Sequence, residues 1–257
     1  MNAMIEKKKV SPLFALIKGT VRFLYGKMNL YDVENVPTEP CVFVGNHCKL
    51  NGPVCAELFF DDDCYIWCAG QMMNLKEVPS YAYNDFWSSK PVLLRPMYRM
   101  LSYLIAPLSV LVLNNARTIG VYHDMRVLST FRASVDLLGK GAKLVIFPEK
   151  HETNNNIVYK FNDKFVDVAR FYYNAHGKNI SFVPMYISPE LRGIYFGKSI
   201  EYKADNLKQE ERERICDYLS KSITEMAVNL PCHTVVPYGN IPKKKYLKNT
   251  DITEVPE

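Results

Sequence analysis

"VFVGNHCKLNGP", residues 42–53, runs an apolar stretch into Asn46 and His47 and stops at Gly52-Pro53. A short β-favouring run bounded by a Gly-Pro break reads as a buried strand that delivers a histidine to a loop. "KLVIFPEKHE", residues 143–152, repeats the arrangement: an apolar strand leads into Pro148, Glu149, Lys150 and His151. "TIGVYHDMR", residues 118–126, exposes His123, Asp124 and Arg126 at another strand end. "SFVPMYISP", residues 181–189, is a fourth strand, and its Pro184 is expected to interrupt the ladder and open space beside a site. Several strands carrying polar loops to one edge of a sheet is how open α/β folds assemble a site.

The rest of the chain fits one layered α/β domain with a mixed central sheet flanked by helices. Strands are expected at 41–45, 64–69, 118–122, 143–147, 181–188 and 193–202. Asp124 is placed to cap a helix whose Leu128, Phe131, Val135 and Leu138 share a face before Gly139 and Gly141 end it. A further helix is expected over 158–173. The last carries a stripe of Ile215, Leu219, Ile223, Met226 and Leu230. Residues 1–35 read as a basic, amphipathic helical segment, 36–230 as the α/β domain and 231–257 as a basic tail with Lys243, Lys244, Lys245 and Lys248.

A hydrophobic content of 48% and a charged content of 23% exclude a globally disordered chain. The net charge of +5 is too small to argue for nucleic acid, and no RNA- or DNA-binding signature is present. It suits an anionic membrane surface or a phosphate-bearing substrate. The start "MNAMIEKKKV" lacks an apolar signal core, so the seven cysteines are expected as free thiols in the cytoplasm. Cys64 and Cys68 have no second ligand pair at zinc spacing, and no metal site is expected.

Three segments are candidates for membrane contact. In 11–28, Lys18 and Arg22 share one helical face and Leu13, Leu16, Ile17, Phe23 and Leu24 gather opposite, behind Lys7, Lys8 and Lys9, which reads either as an interfacial helix or as a core-packing helix with a solvated basic tail. In 94–113, Arg95 and Arg99 precede an apolar run that contains Pro107; its core, 100–113, is expected to be a buried or interfacial helix too short to span. The lysine-rich tail is the third. The stretch 71–91, with Met72, Met73, Tyr81, Tyr83, Phe86 and Trp87, reads either as core or as the lining of an acyl groove.

"GNHCKLNGP", "TIGVYHDMR", "IFPEKHE" and "FVPMYISP" together resemble the four ordered blocks of the glycerolipid (lysophosphatidic acid) acyltransferase family, across roughly residues 13–226. The resemblance implies a glycerol-3-phosphate acyltransferase-like fold. It also implies acyl transfer from acyl-CoA or acyl-carrier protein, as co-substrate and with no further cofactor, to the hydroxyl of a lysophospholipid or glycerol-phosphate-type acceptor. By that resemblance the catalytic residues are His47 as general base, Asn51 and Glu149. Asn46, Gly52, His123, Arg126, Lys150 and Pro184 bind substrate. The protein would act in phospholipid synthesis, peripherally on the inner face of the cell membrane.

The blocks depart from the family pattern. Gly52 stands where an aspartate is expected five residues after His47, with Asn51 beside it; His123 replaces an arginine, with Arg126 one turn on; Lys150, His151 and Glu152 replace Gly-Thr-Arg. Asn51, or an acid such as Glu57, is therefore expected to orient His47 in an active enzyme. A non-catalytic lipid-binding relative is the alternative, and thiol chemistry at Cys48 or Cys55 a third.

Overall fold

Alternate residues of the central strands enter opposite faces of one sheet. A computed structural model describes residues 10–88, 90–150, 157–158, 160–239 and 241–252. Lys7, Lys8, Lys9, His151 and Glu152 lie outside them. The strands are β1 (Asn29–Tyr31), β2 (Cys41–Gly45), β3 (Cys64–Ala69), β4 (Thr118–Val121), β5 (Lys143–Ile146), β6 (Ser181–Ser188), β7 (Gly193–Phe196) and β8 (Ile200–Glu201). The sheet order is β1-β7-β6-β2-β5-β3-β4, with β8 also on β6. The five strands from β6 to β4 are parallel, while β7 and β8 run antiparallel to β6.

The helices are α1 (Pro12–Tyr25), α2 (Asn51–Phe59), α3 (Val78–Ala82), α4 (Arg95–Asn115), α5 (Val127–Gly139), α6 (Asp167–His176) and α7 (Lys208–Val228). Val42 and Val44 join a core with Leu138 of α5, Val168 of α6 and Ile215, Leu219 and Ile223 of α7. Cys41 and Phe43, one residue out of step, join a second core with Cys55 and Ala56 of α2. Period-two patterning thus divides the helices between the sheet's two faces, and the chain is α/β with a mixed sheet flanked by helices.

Several element boundaries differ from the sequence expectation. The stretch 193–202 is two strands, because 197–199 puts one extra residue opposite Val183 and Pro184. Pro184 has no N–H for the ladder there, and a bulge takes up the difference. The space this makes is filled: Gly197 donates to the Pro184 carbonyl at 2.9 Å, and a Cβ on Gly197 would lie 2.8 Å from the proline ring. The helix expected over 158–173 begins later, since Phe161 pairs as an isolated bridge with Glu149. The helix after Asp124 starts at Val127, and Asp124 instead accepts the Arg126 backbone N–H at 2.9 Å in the turn before it.

The C-terminal segment packs on the domain, while its Lys243, Lys244 and Lys245 are exposed. His233 is fully buried against Tyr186, and Asn249 donates to the carbonyls of Ala227 and Leu230 and accepts from the His233 N–H.

Helix α1 is amphipathic in the reverse sense of a core-packing helix. Lys18 pairs with Glu57 of α2 at 2.5 Å and Arg22 lies over the Phe59 ring, so its basic face meets the protein. Leu13, Leu16, Phe23 and Leu24 face outward, with Phe23 86% exposed. α4 adjoins it, with Ser11 N–H donating to Asn115 at 2.8 Å. Its Met100, Tyr103, Leu104 and Leu108 are likewise exposed. The segment expected to be too short to span is longer: the 3-10 turn Val92–Leu94 runs directly into α4, and the helical stretch Val92–Asn115 has 24 residues, long and apolar enough by length and composition to cross a membrane.

Candidate active site

A cavity of about 270 Å³ opens at the carboxyl ends of the parallel strands. His47 follows β2, Gln71 follows β3, Tyr122 and His123 follow β4, and Phe147, Pro148 and Glu149 follow β5, all lining it. Tyr81 of α3, Asn162, Lys164 and Tyr238 add further polar groups. Loops at the carboxyl edge of a parallel sheet are the expected place for a ligand in such a fold.

The loop that carries His47 is tied down from several sides. Asn46 is buried and its amide is committed twice to β6, donating to the Ile187 carbonyl at 3.0 Å and accepting the Ile187 N–H at 2.8 Å. That pairing extends the sheet by one side chain and makes Asn46 a clamp rather than the substrate contact expected of it. Next along, the His47 backbone N–H donates to the Glu149 carboxyl at 2.6 Å, joining the first and third blocks. Cys48 and Lys49 then both adopt left-handed backbone, with φ of 49° and 56°. Such conformations cost on the order of 1–3 kcal/mol each and persist only where the surroundings impose them.

Their effect is to turn the Lys49 carbonyl back onto His47 Nδ1. A carbonyl only accepts, so Nδ1 is the donor in this contact, and in the neutral imidazole the lone pair is left on Nε2. The ring is flanked by Tyr238, stacked at 4.3 Å between centroids and 27° between planes, and by the edge of Phe147 at 5.6 Å.

The partner expected at Nδ1, Asn51, is engaged elsewhere: its Oδ1 accepts from the Tyr25 hydroxyl at 3.0 Å and its amide donates to the Cys48 carbonyl at 2.9 Å. Glu57, the other candidate, is bound to Lys18 and to the Arg117 backbone N–H. Gly52 is a close-approach glycine. A Cβ there would meet the His47 carbonyl at 2.8 Å, the Phe147 ring at 2.8 Å and the Asn46 carbonyl at 2.9 Å. The loop leaves no room for the aspartate that the block pattern expects.

Burial holds the Glu149 carboxyl up at about 8, against the opposing pull of the His47 N–H. Its protonated form therefore dominates near neutrality. The thiols are held inert in the same way: burial pushes Cys55 up to about 11 and Cys48 further still. Neither is a thiolate nucleophile near neutral pH.

The expected phosphate contacts are redistributed. Arg126 is exposed, pairs with Asp124 and Glu77 at 2.8 Å each, and lies over the Tyr122 ring outside the cavity lining. Both carboxylates hold its guanidinium charged above the usual range and are themselves lowered by it. Lys150 is exposed, its backbone fixed by a bond to the Lys160 carbonyl, and Pro184 is buried in β6; neither lines the cavity. His123 does line it, and so does Lys164, which no block pattern pointed to. Lys164 stands on the turn Asp163–Val166, which is placed by the Glu149–Phe161 bridge just ahead of it. Tyr238 comes from the segment read as a basic tail. Among the described residues no group of three or more His, Cys, Asp or Glu side chains is arranged to hold a metal ion.

No protein-family model matches the sequence, and no curated protein does. The crystal structure of the 1-acyl-sn-glycerophosphate (LPA) acyltransferase PlsC from Thermotoga maritima is similar over 83% of this chain and 80% of that one. Identity is 14% and the TM-score 0.45, a distant likeness.

Two predictions follow from this geometry. Gly52→Ala should lower unfolding free energy by about 1–3 kcal/mol through overpacking, and Gly52→Asp by more, as read by urea denaturation. An aspartate accepted without loss would contradict the packing described. For Glu149, the fold raises the carboxyl from 4.5 to about 8, so its contribution is full below pH 4.5 and is lost as pH rises through about 8. Glu149→Gln should therefore gain stability relative to the unmodified protein across that window; parallel stability–pH curves would refute the raised value.

Proposed function

We propose that the protein transfers an acyl group from a thioester, acyl-CoA or acyl-carrier protein, to the hydroxyl of a lysophospholipid or glycerol-phosphate-type acceptor at a membrane surface. The observation that carries this reading is His47, its Nδ1 on the Lys49 carbonyl, in a cavity beside Glu149, His123 and Lys164. Nε2 takes the hydroxyl proton as the oxygen attacks the thioester carbonyl. A C–O bond forms, the C–S bond breaks, and the proton passes from the imidazolium to the departing thiolate. The products are the ester and the free thiol. Glu149 positions the His47 loop, and its protonated carboxyl is a donor within the same cavity. Lys164 supplies positive charge, and His123 a ring nitrogen for hydrogen bonding, for the phosphate of acceptor or donor.

The occupant we assign to the outward apolar faces of α1 and α4 is the lipid bilayer. Contiguous apolar exposure of this kind marks a membrane or protein contact. Arg95 and Arg99 at the start of α4 suit anionic headgroups. α3 packs on α4 and sends Tyr81 into the cavity, so the lipid face and the reaction site share a wall. Docking on the inner face of the cell membrane follows from this reading. A lipid-binding protein without turnover is the second reading, favoured by the one feature that distinguishes this site: the partner of Nδ1 is an uncharged carbonyl.

One assay separates them. Purified protein is incubated with anionic phosphatidylglycerol vesicles, acyl thioester and a panel of lysophospholipids. His47→Ala should lower kcat about 10²- to 10⁴-fold while vesicle binding is retained. A Phe23→Glu, Leu104→Glu double variant should lose vesicle binding. Equal turnover with and without His47 would overturn the base assignment; absence of turnover in both, with binding intact, selects the second reading.

A further inference from the structure

Lys49, whose carbonyl holds Nδ1, and the imidazole itself are both touched by the C-terminal segment. Tyr238 stacks on the ring, and Lys49 Nζ lies over the Tyr246 ring at 5.3 Å. The segment is built to hold these contacts. Val235 N–H donates to the Leu247 carbonyl at 2.9 Å, and Thr234 pairs with Lys248 in an antiparallel bridge. Buried His233 uses both ring nitrogens, one on the Pro231 carbonyl at 2.7 Å and one with the Tyr186 hydroxyl at 2.8 Å. Lys248 further pairs with Glu190.

We infer that residues 231–239 and 241–252 form part of the active site, with Tyr238 and Tyr246 as positioning residues that clamp His47 and the carbonyl that orients it. The inference deepens the acyl-transfer reading and rests on it for its kinetic consequence. When Nε2 takes a proton the ring becomes a cation. The Lys49 carbonyl keeps its hydrogen bond but offers no full negative charge. A tyrosine face 4.3 Å away is within the reach of a cation–π attraction and meets the imidazolium as it forms. Tautomer and charge are thus handled by two different groups, and one peptide segment steadies both.

The test compares Tyr238→Leu, Tyr238→Phe and Tyr246→Leu in the full chain, by steady-state kinetics on vesicles and by NMR of the His47 ring nitrogens. Tyr238→Leu should lower kcat about tenfold with KM unchanged, whereas Tyr238→Phe, which keeps the aromatic face, should stay within about twofold. The ring nitrogens should move from a single Nδ1–H form toward a mixture of tautomers in Tyr238→Leu and remain unmixed in Tyr238→Phe. Unchanged nitrogen shifts in Tyr238→Leu would overturn the clamp, as would a loss in Tyr238→Phe equal to that in Tyr238→Leu. Should Tyr238→Leu fail to fold, Tyr246→Leu reads the same clamp through Lys49, and unaltered His47 nitrogens there refute it. The NMR measurement needs no turnover, so an inert unmodified protein would count against acyl transfer and leave the clamp to be decided by the spectra.

Discussion

The bond from His47 Nδ1 to the Lys49 carbonyl is the constraint around which the site is organised. It requires two successive non-glycine residues in left-handed backbone, and the surroundings must impose them. Asn46 does so by its bonds to β6, Glu149 from the loop after β5, and Gly52 by letting Phe147 and the loop carbonyls approach α2. Residues that look like substrate contacts in a linear reading are the supports of one turn. A backbone carbonyl defines a tautomer as well as a carboxylate does, but it leaves the positive charge of a protonated ring to other groups.

The same economy of position governs the outer surface. Lys18 and Arg22 are drawn inward by Glu57 and the Phe59 ring, which forces the leucines and Phe23 of α1 outward. Burying a helix's apolar stripe is the usual source of its stability, and a contiguous stripe shown to the exterior marks a contact surface. The adjoining face of α4 extends the surface to the wall of the cavity.

The layered architecture was legible in the sequence because buried parallel strands leave short apolar runs; β2, β3 and β6 have the bounds those runs suggest. β1 escaped notice because Asn29–Tyr31 is short and exposed, and the division of β7 from β8 depends on a bulge that only pairing with Pro184 reveals. At the site, the strand-end pattern pointed to His47, His123 and Glu149, all of which line the cavity. It pointed as well to Arg126, Lys150 and Pro184, which do not. Sequence proximity to a motif carries no information about direction, and two carboxylates have claimed Arg126. Lys164 and Tyr238 were illegible for the opposite reason. Each reaches the site through tertiary packing from a remote segment, with no local signal beyond an ordinary lysine and an ordinary tyrosine.

The central claim is that Lys49 sets the protonation pattern of His47. The most direct measurement is NMR of the His47 ring nitrogens in the unmodified protein under conditions where the imidazole is neutral. The account predicts a single tautomer with the proton on Nδ1 and the lone pair on Nε2. A proton on Nε2 would contradict it.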